Sequence, residues 1–327
     1  MTRKLSRRIT GCAVAIGLAL SLVSCTKTDP DGPTTDLPGE SDLVLASDSP
    51  ELDAITVTGV EGQKPGVTVE APWSTKTTSA RILVEGEGMT VTPRGLVQAN
   101  YVGVNARTGE VFDSSWEQES PPTFVLAGGV VPGFQKGLAG KKVGSRVLIA
   151  MTGADGYDGS GGKEEAGIEY GDTLIFVVDI TNTQADSPMG ETVTDPAEGL
   201  PQVSGDLDQP VVTIPSGEPP EGLVVQPLII GPGPEVTIMD LVTVHYTEYI
   251  WAGGTFVRQT YGYAPVSSYL MNAIPGWQRA LQGQTTGSRV LLVVPPEQAY
   301  PQGNPKLGVP EGSTMVYVVD ILYAAAS

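Results

Sequence analysis

The sequence predicts an α+β fold made twice in tandem, each copy mostly antiparallel strand with one short helix. The first observation behind this is an internal repeat. Gly144-Ser145-Arg146-Val147-Leu148 recurs as Gly287-Ser288-Arg289-Val290-Leu291, an offset of 143 residues. Val131-Pro132-Gly133-Phe134-Gln135 recurs as Ile274-Pro275-Gly276-Trp277-Gln278 at the same offset, and Tyr157 answers Tyr300. So long a period means two copies of a domain, not a solenoid. The second observation is that residues 146–151 and 173–180 are apolar, β-rich runs bounded by glycines, as strands are, while 96–102 alternates. The third is that one segment per copy reads as helix. In the first copy it is 133–139, opened by Pro132 and closed by Gly140.

From the start of the chain, Arg3, Lys4, Arg7 and Arg8 precede an apolar stretch at 11–23. That stretch is too short to span a bilayer and suits a signal peptide. It ends Leu22-Val23-Ser24-Cys25, which resembles a bacterial lipobox. The expectation is a signal peptide over 1–24 and acylation of Cys25, leaving the protein lipid-anchored at the extracytoplasmic face of a bacterial cell membrane. Residues 25–50 carry no aromatic and are rich in Pro, Ser, Thr and Asp, so a disordered tether is expected there. The first domain is expected over 51–184 and the second over 200–324. Between them 185–199, acidic and punctuated by Pro188, Gly190, Pro196 and Gly199, reads as a linker.

Composition excludes several function classes. The chain has 327 residues, one His and two Cys, too few for a His/Cys zinc site or a disulfide framework. His245 stands alone before Tyr246 and reads as a sheet residue. Asp155-Gly156-Tyr157-Asp158-Gly159 and Asp29-Pro30-Asp31-Gly32 lack full calcium-loop spacing. A formal charge of −18 repels nucleic acid, and that partner class is set aside. No metal and no cofactor are expected.

Each copy resembles the FKBP-type peptidyl-prolyl cis-trans isomerases across nearly its whole length. The ordered blocks are Tyr101, Val111-Phe112-Asp113-Ser114-Ser115, Val131-Pro132-Gly133-Phe134 with Gly137-Leu138, Val143-Gly144, Gly156-Tyr157, and Ile168 followed by Leu174-Ile175-Phe176-Val177-Val178-Asp179. The resemblance implies an antiparallel half-barrel sheet wrapped around one short helix, with an aromatic pocket between them. It places Tyr101, Phe112, Asp113, Phe124, Val130, Val131, Phe134, Tyr157, Ile168 and Phe176 in the first pocket. It further implies that Asp113 accepts a bond from Tyr101, and that the Tyr157 hydroxyl and the Val131 N–H meet substrate carbonyls. Phe134 stands where the family usually has Trp, so reduced activity is expected.

The second copy departs further. Its pocket is expected to hold Tyr246, Phe256, Ile274, Trp277, Tyr300, Val309 and Tyr317. Phe256 is followed by Val257-Arg258-Gln259, so Val257 answers Asp113 and an arginine follows. Glu248 replaces the glycine expected after Tyr-Thr, and Val266 stands in place of Phe124. The expected function is prolyl isomerisation assisting the folding of secreted or cell-surface proteins, catalysed mainly by the first copy. The alternative is a tethered chaperone or peptide-binding module that does not turn over. The implied partners are X-Pro segments of unfolded polypeptides, the membrane through the lipid anchor, and a macrolide ligand.

Overall fold

The computed structural model describes residues 43–194 and 197–326. In the first copy, strands β1 (Ile55–Thr58) and β2 (Gly66–Val69) form a hairpin. The main sheet is built from β3 (Ser79–Val84), β4 (Leu96–Asn105), β5 (Glu110–Ser114), β6 (Thr123–Val125) and β7 (Arg146–Met151). Helix α1 (Pro132–Leu138) precedes β7. A small ladder, β8 (Gly162–Lys163) with β9 (Ile168–Glu169), follows it, and β10 (Leu174–Thr183) closes the copy. The strand order is β3-β7-β10-β4-β5, with β6 also pairing β4, and every pairing is antiparallel.

The second copy repeats this plan. Strand β11 (Glu191–Thr192) adds to the edge of its sheet, and β12 (Gln202–Asp206) with β13 (Gln209–Thr213) forms its hairpin. Its sheet comprises β14 (Val224–Ile230), β15 (Leu241–Ile250), β16 (Thr255–Gln259), β17 (Val266–Tyr269), β18 (Arg289–Val294) and β19 (Met315–Ala325). Helix α2 (Pro275–Leu281) lies before β18. The order β11-β14-β18-β19-β15-β16, with β17 beside β15, matches the first copy strand for strand once β11 is set aside.

The central strands are apolar on both faces, apart from the buried pairs Arg146–Asp179 and Arg289–Asp320, because both faces of each sheet are covered. Successive side chains on a strand point to opposite faces. Along β10, Leu174, Phe176, Val178 and Ile180 join the cluster that holds Phe134 and Leu138 of α1. Ile175 and Val177 join a second cluster, beneath the hairpin residues Ile55 and Val67. In β19, Tyr317, Val319 and Ile321 face one cluster, and Val316 and Val318 face the other. A strand with one wet face would alternate, and these do not.

A buried ion pair fixes each hairpin to its sheet. Arg146 meets Asp179 through Nε at 2.6 Å and Nη2 at 2.7 Å. The same guanidinium donates to the carbonyls of Gly59 and Gln63, in the turn between β1 and β2. In the second copy, Arg289 meets Asp320 at 2.6 and 2.7 Å and donates to the Leu207 carbonyl in the turn between β12 and β13. A bidentate arginine thus ties strand and turn together through charge-assisted hydrogen bonds.

Two segments differ in place from their expected character. Residues 43–50, expected in the tether, lie against the first copy: Ala46 is buried, its N–H donates to the Lys136 carbonyl, and the Ser47 carbonyl accepts from the Ala80 N–H. Lipidation at Cys25 lies outside the described residues. Residues from the expected linker bond to the second copy, Ala185 N–H to the Leu322 carbonyl and Met189 N–H to the Gly287 carbonyl. The copies also touch through Asn182 to the Ala324 carbonyl and Thr123 to the Tyr323 hydroxyl.

Candidate active site

In the first copy, β4, β5, β6, α1 and β10 bring the expected pocket residues together. Phe134 and Phe176 are buried with ring centres 4.7 Å apart, edge to face. Tyr101 meets Phe124, Phe134 and Phe176 at 5.9, 6.2 and 6.0 Å, and Phe112 meets Phe176 at 5.6 Å. Ile168 is buried in the same cluster, with Val130, Val131 and Tyr157 packed against it. Asp113 stands at the exposed rim, where the Tyr101 hydroxyl donates to its Oδ2 at 2.8 Å. Burial, then the Asp113 carboxylate, push the Tyr101 phenol well above its ordinary value, so it stays a donor.

One glycine makes this packing possible. A Cβ on Gly103 would lie 2.8 Å from both the Phe112 and Phe176 rings. Gly103 pairs with Phe176 on β10 and with Asp113 on β5, and a bulge leaves Phe112 as the extra residue. The bulge aims the Phe112 ring into the cluster and leaves Asp113 opposite the bare glycine. In the nearby acidic loop, Asp155 accepts from Lys136 and Thr78, and Asp158 accepts from the Gly171 N–H. Both carboxylates are thus engaged by the protein's own donors.

The second copy builds a different floor in the same place. By register, Glu248 pairs with Tyr317 and Arg258, and Val257 is the bulged residue. Val257 is partly buried against the core, whereas Phe256 is 51% exposed and packs edge-on against Tyr249 at 5.5 Å. Phe256 therefore lies outside the pocket, and the residue answering Asp113 is Arg258, not Val257. Likewise Ser268 pairs with Val242 as Phe124 does with Val97, so Ser268 rather than Val266 stands in place of Phe124. With a small valine in the bulge, the space barred at Gly103 admits a side chain, and Glu248 fills it.

Glu248 is fully buried and accepts three hydrogen bonds. Arg258 Nε donates at 2.6 Å, Tyr317 at 2.9 Å and Tyr300 at 3.2 Å. Burial first, and then Glu248, raise both tyrosine phenols. Burial opposes the charge on Arg258, but Glu248 outweighs it and leaves the guanidinium above its ordinary value. Above this floor is a cavity of about 340 Å³ lined by Tyr246, Ile274, Trp277, Tyr300, Tyr317 and Arg258 among others. Trp277 meets Tyr246 at 5.2 Å and Tyr317 at 5.4 Å, both nearly perpendicular. Val309 is buried in the core cluster behind. His245 is a half-buried sheet residue bonded to Thr260 and stacked on Tyr261, and burial lowers its imidazole despite Asp320.

Both aromatic sites lie in segments that the FKBP-type peptidyl-prolyl cis-trans isomerase family model matches, residues 88–181 and 233–322. The chain belongs to that family. It is an isomerase of FKBP type carrying the family's domain twice. It is 40% identical over 100 residues to a probable FK506-binding protein of Corynebacterium glutamicum, covering 30% of this chain and 80% of that one. It is 42% identical over 99 residues to an FK506-binding protein of Streptomyces anulatus, 29% of this chain and 77% of the other. The FKBP-type isomerase FkpA of Escherichia coli K12 is 35% identical over 101 residues, 31% of this chain and 37% of FkpA. The solved structure of the three FKBP domains of wheat FKBP73 aligns over 76% of this chain and 95% of that one, at 19% identity and a TM-score of 0.33. The matched FKBP segments begin after β1 and β2 and resume after β12 and β13, so each covering hairpin lies outside them.

Proposed function

We propose that the first copy carries the prolyl isomerisation and the second serves as a binding module. The observation that carries this reading is the Tyr101–Asp113 hydrogen bond set across an aromatic cluster, for which the second copy substitutes an arginine and a buried glutamate. Isomerisation rotates an amide through a barrier of about 18–20 kcal/mol that comes from resonance, and no covalent bond breaks. A twisted amide has less charge separation than a planar one. Moving it from water onto the rings of Phe112, Phe134 and Phe176 therefore favours the twisted form over the planar one, and only such a difference accelerates rotation. Asp113 with Tyr101 fixes the field at the rim before substrate arrives, so no reorganisation is needed as the amide turns.

In the second copy the Tyr300 hydroxyl, which answers that of Tyr157, already donates to Glu248. A substrate carbonyl has to compete with a buried carboxylate for it, which favours holding a peptide over turning it. Two sites on one chain raise the local concentration of a client at the first after it meets the second. The test is prolyl cis–trans exchange measured by NMR on a short Leu-Pro peptide. The full chain is expected to accelerate exchange, and Asp113→Leu to lower kcat/KM by about 10-fold, the scale of one lost charged hydrogen bond. The relatives named for FK506 binding support a macrolide as competitor for the first pocket. An Asp113→Leu chain as active as the unmodified one overturns the assignment.

The site of action proposed is the outer face of a bacterial cytoplasmic membrane, where emerging chains meet slow prolyl isomerisation, which takes tens to hundreds of seconds uncatalysed. The basic start, the apolar stretch and Leu22-Val23-Ser24-Cys25 support it. Cells fed labelled palmitate are expected to mark the chain, and Cys25→Ala to abolish the label. A Cys25→Ala chain that stays labelled removes the anchor from the proposal.

A further inference from the structure

The two pockets carry opposite charge at one structural position. Opposite Gly103 the first copy places Asp113, and opposite Glu248 the second places Arg258. The Arg258 guanidinium is held by two contacts. Its Nε donates to Glu248, and its Cζ lies 5.3 Å from the centre of the Tyr246 ring. Glu248 is itself immobilised by the Tyr300 and Tyr317 hydroxyls, so it anchors the arginine rather than following it. The Arg258 Nη groups take part in none of the described hydrogen bonds, and the side chain is 45% exposed. The cavity it borders is walled by Val242, Val244, Trp277 and Leu281, and among the described residues no acidic one lines it. The indole N–H of Trp277 is buried without a partner among the described residues.

A guanidinium fixed through Nε keeps its Nη edge for a second planar acceptor, and carboxylates match that edge. We propose that the second copy selects acidic peptide segments: an apolar or prolyl side chain occupies the cavity against Trp277, and the carboxylate of a neighbouring Asp or Glu pairs with the Nη edge of Arg258. The inference deepens the binding role proposed for this copy and rests on it. The chain's overall charge of −18 repels such a peptide at a distance. That field is screened over about 8 Å at physiological ionic strength, while the pairing acts at contact. The first copy, with Asp113 at the same place, has no such edge to offer, so the two sites divide clients by charge.

The test uses the full chain in detergent micelles and three peptides, acetyl-Ala-Glu-Leu-Pro-Phe-amide and its Gln and Lys counterparts. Binding is read from the indole N–H resonance of Trp277, identified by its loss in Trp277→Phe. The Glu peptide is expected to bind about 10-fold tighter than the Gln peptide, as for one half-exposed charged pair, with the Lys peptide weakest. Arg258→Gln is expected to abolish the preference. Because that change strands a buried carboxylate, the double variant Glu248→Gln with Arg258→Gln must show the same loss. Equal binding of the Glu and Gln peptides to the unmodified chain, or a preference that survives in the double variant, overturns the carboxylate assignment alone. If no peptide moves the Trp277 resonance, the binding role of the second copy falls with it.

Discussion

Replacing Asp320 with alanine is expected to destabilise the protein by about 3–5 kcal/mol, the cost of stranding one member of a buried ion pair. The pair is almost wholly removed from water, with side-chain exposures of 5% for Arg289 and 1% for Asp320. Three donors lose their acceptor at once, because Tyr261 also donates to Asp320, at 2.8 Å. The buried guanidinium is then left with its bond to the Leu207 carbonyl alone among those described, so the hairpin of β12 and β13 loosens as well. Urea unfolding followed by tryptophan fluorescence measures this, Trp251 being buried beneath that hairpin. The apolar pair Arg289→Met with Asp320→Leu should recover much of the loss, since removing both charges leaves nothing unpaired but the Tyr261 hydroxyl and the turn carbonyl. An Asp320→Ala protein within about 1 kcal/mol of the parent would show that water reaches the arginine and that the pair does not hold the hairpin.

These pairs also mark where the sequence is legible and where it is not. Arg146 and Asp179 recur as Arg289 and Asp320 inside apolar strands. A charge repeated in a buried run signals a partner, yet nothing local says that the partner is the other strand or that a distant turn shares it. The strand Arg146–Met151 and the helix after Val131 are readable because apolar runs and a proline at the first helical position are local signals. The cluster around Phe134 is readable through the resemblance, residue by residue. One position of the second pocket is displaced by a residue: Val257, not Phe256, stands where Phe112 does, while Tyr246, Ile274, Trp277, Tyr300 and Tyr317 line the cavity as expected. Matching Phe256 to Phe112 by identity ignores that Tyr101 and Tyr246 are offset by 145, and the same offset carries Phe112 to Val257 and Asp113 to Arg258. A slip of one residue turns a side chain to the opposite face of a sheet, which is why Phe256 is out on Tyr249. The covering hairpins and the packed residues 43–50 depend on long-range contacts, and composition alone marks the latter as tether.

Four substitutions are expected to give the second copy the chemistry of the first: Glu248→Gly, Val257→Phe, Arg258→Asp and Tyr317→Phe. Each follows from a contact. Glycine at 248 clears the space that two rings need, as Gly103 does beside Phe112 and Phe176. Phenylalanine at the bulge then has room to turn inward, where Val257 already points toward the core. Aspartate at 258 stands where Tyr246 can donate to it, as Tyr101 does to Asp113 at 2.8 Å. Removing Glu248 alone would leave the Tyr317 hydroxyl buried without its acceptor, a cost of about 1–3 kcal/mol, so that tyrosine changes with it. Tyr300 loses its tie to Glu248 and presents its hydroxyl to the cavity. In a chain weakened by Asp113→Leu, the rebuilt second copy is expected to raise kcat/KM for a Leu-Pro peptide by about 10-fold or more, on the scale of one pre-placed hydrogen-bonding group. Trp277 gives it a larger aromatic floor than Phe134 gives the first copy, which works in the same direction. A rebuilt copy that folds, binds the peptide and leaves exchange unchanged would place the proposed catalytic difference between the copies outside these four positions, and the loop carrying Lys163, Glu164 and Glu165 beside Tyr157 would be the next place to look.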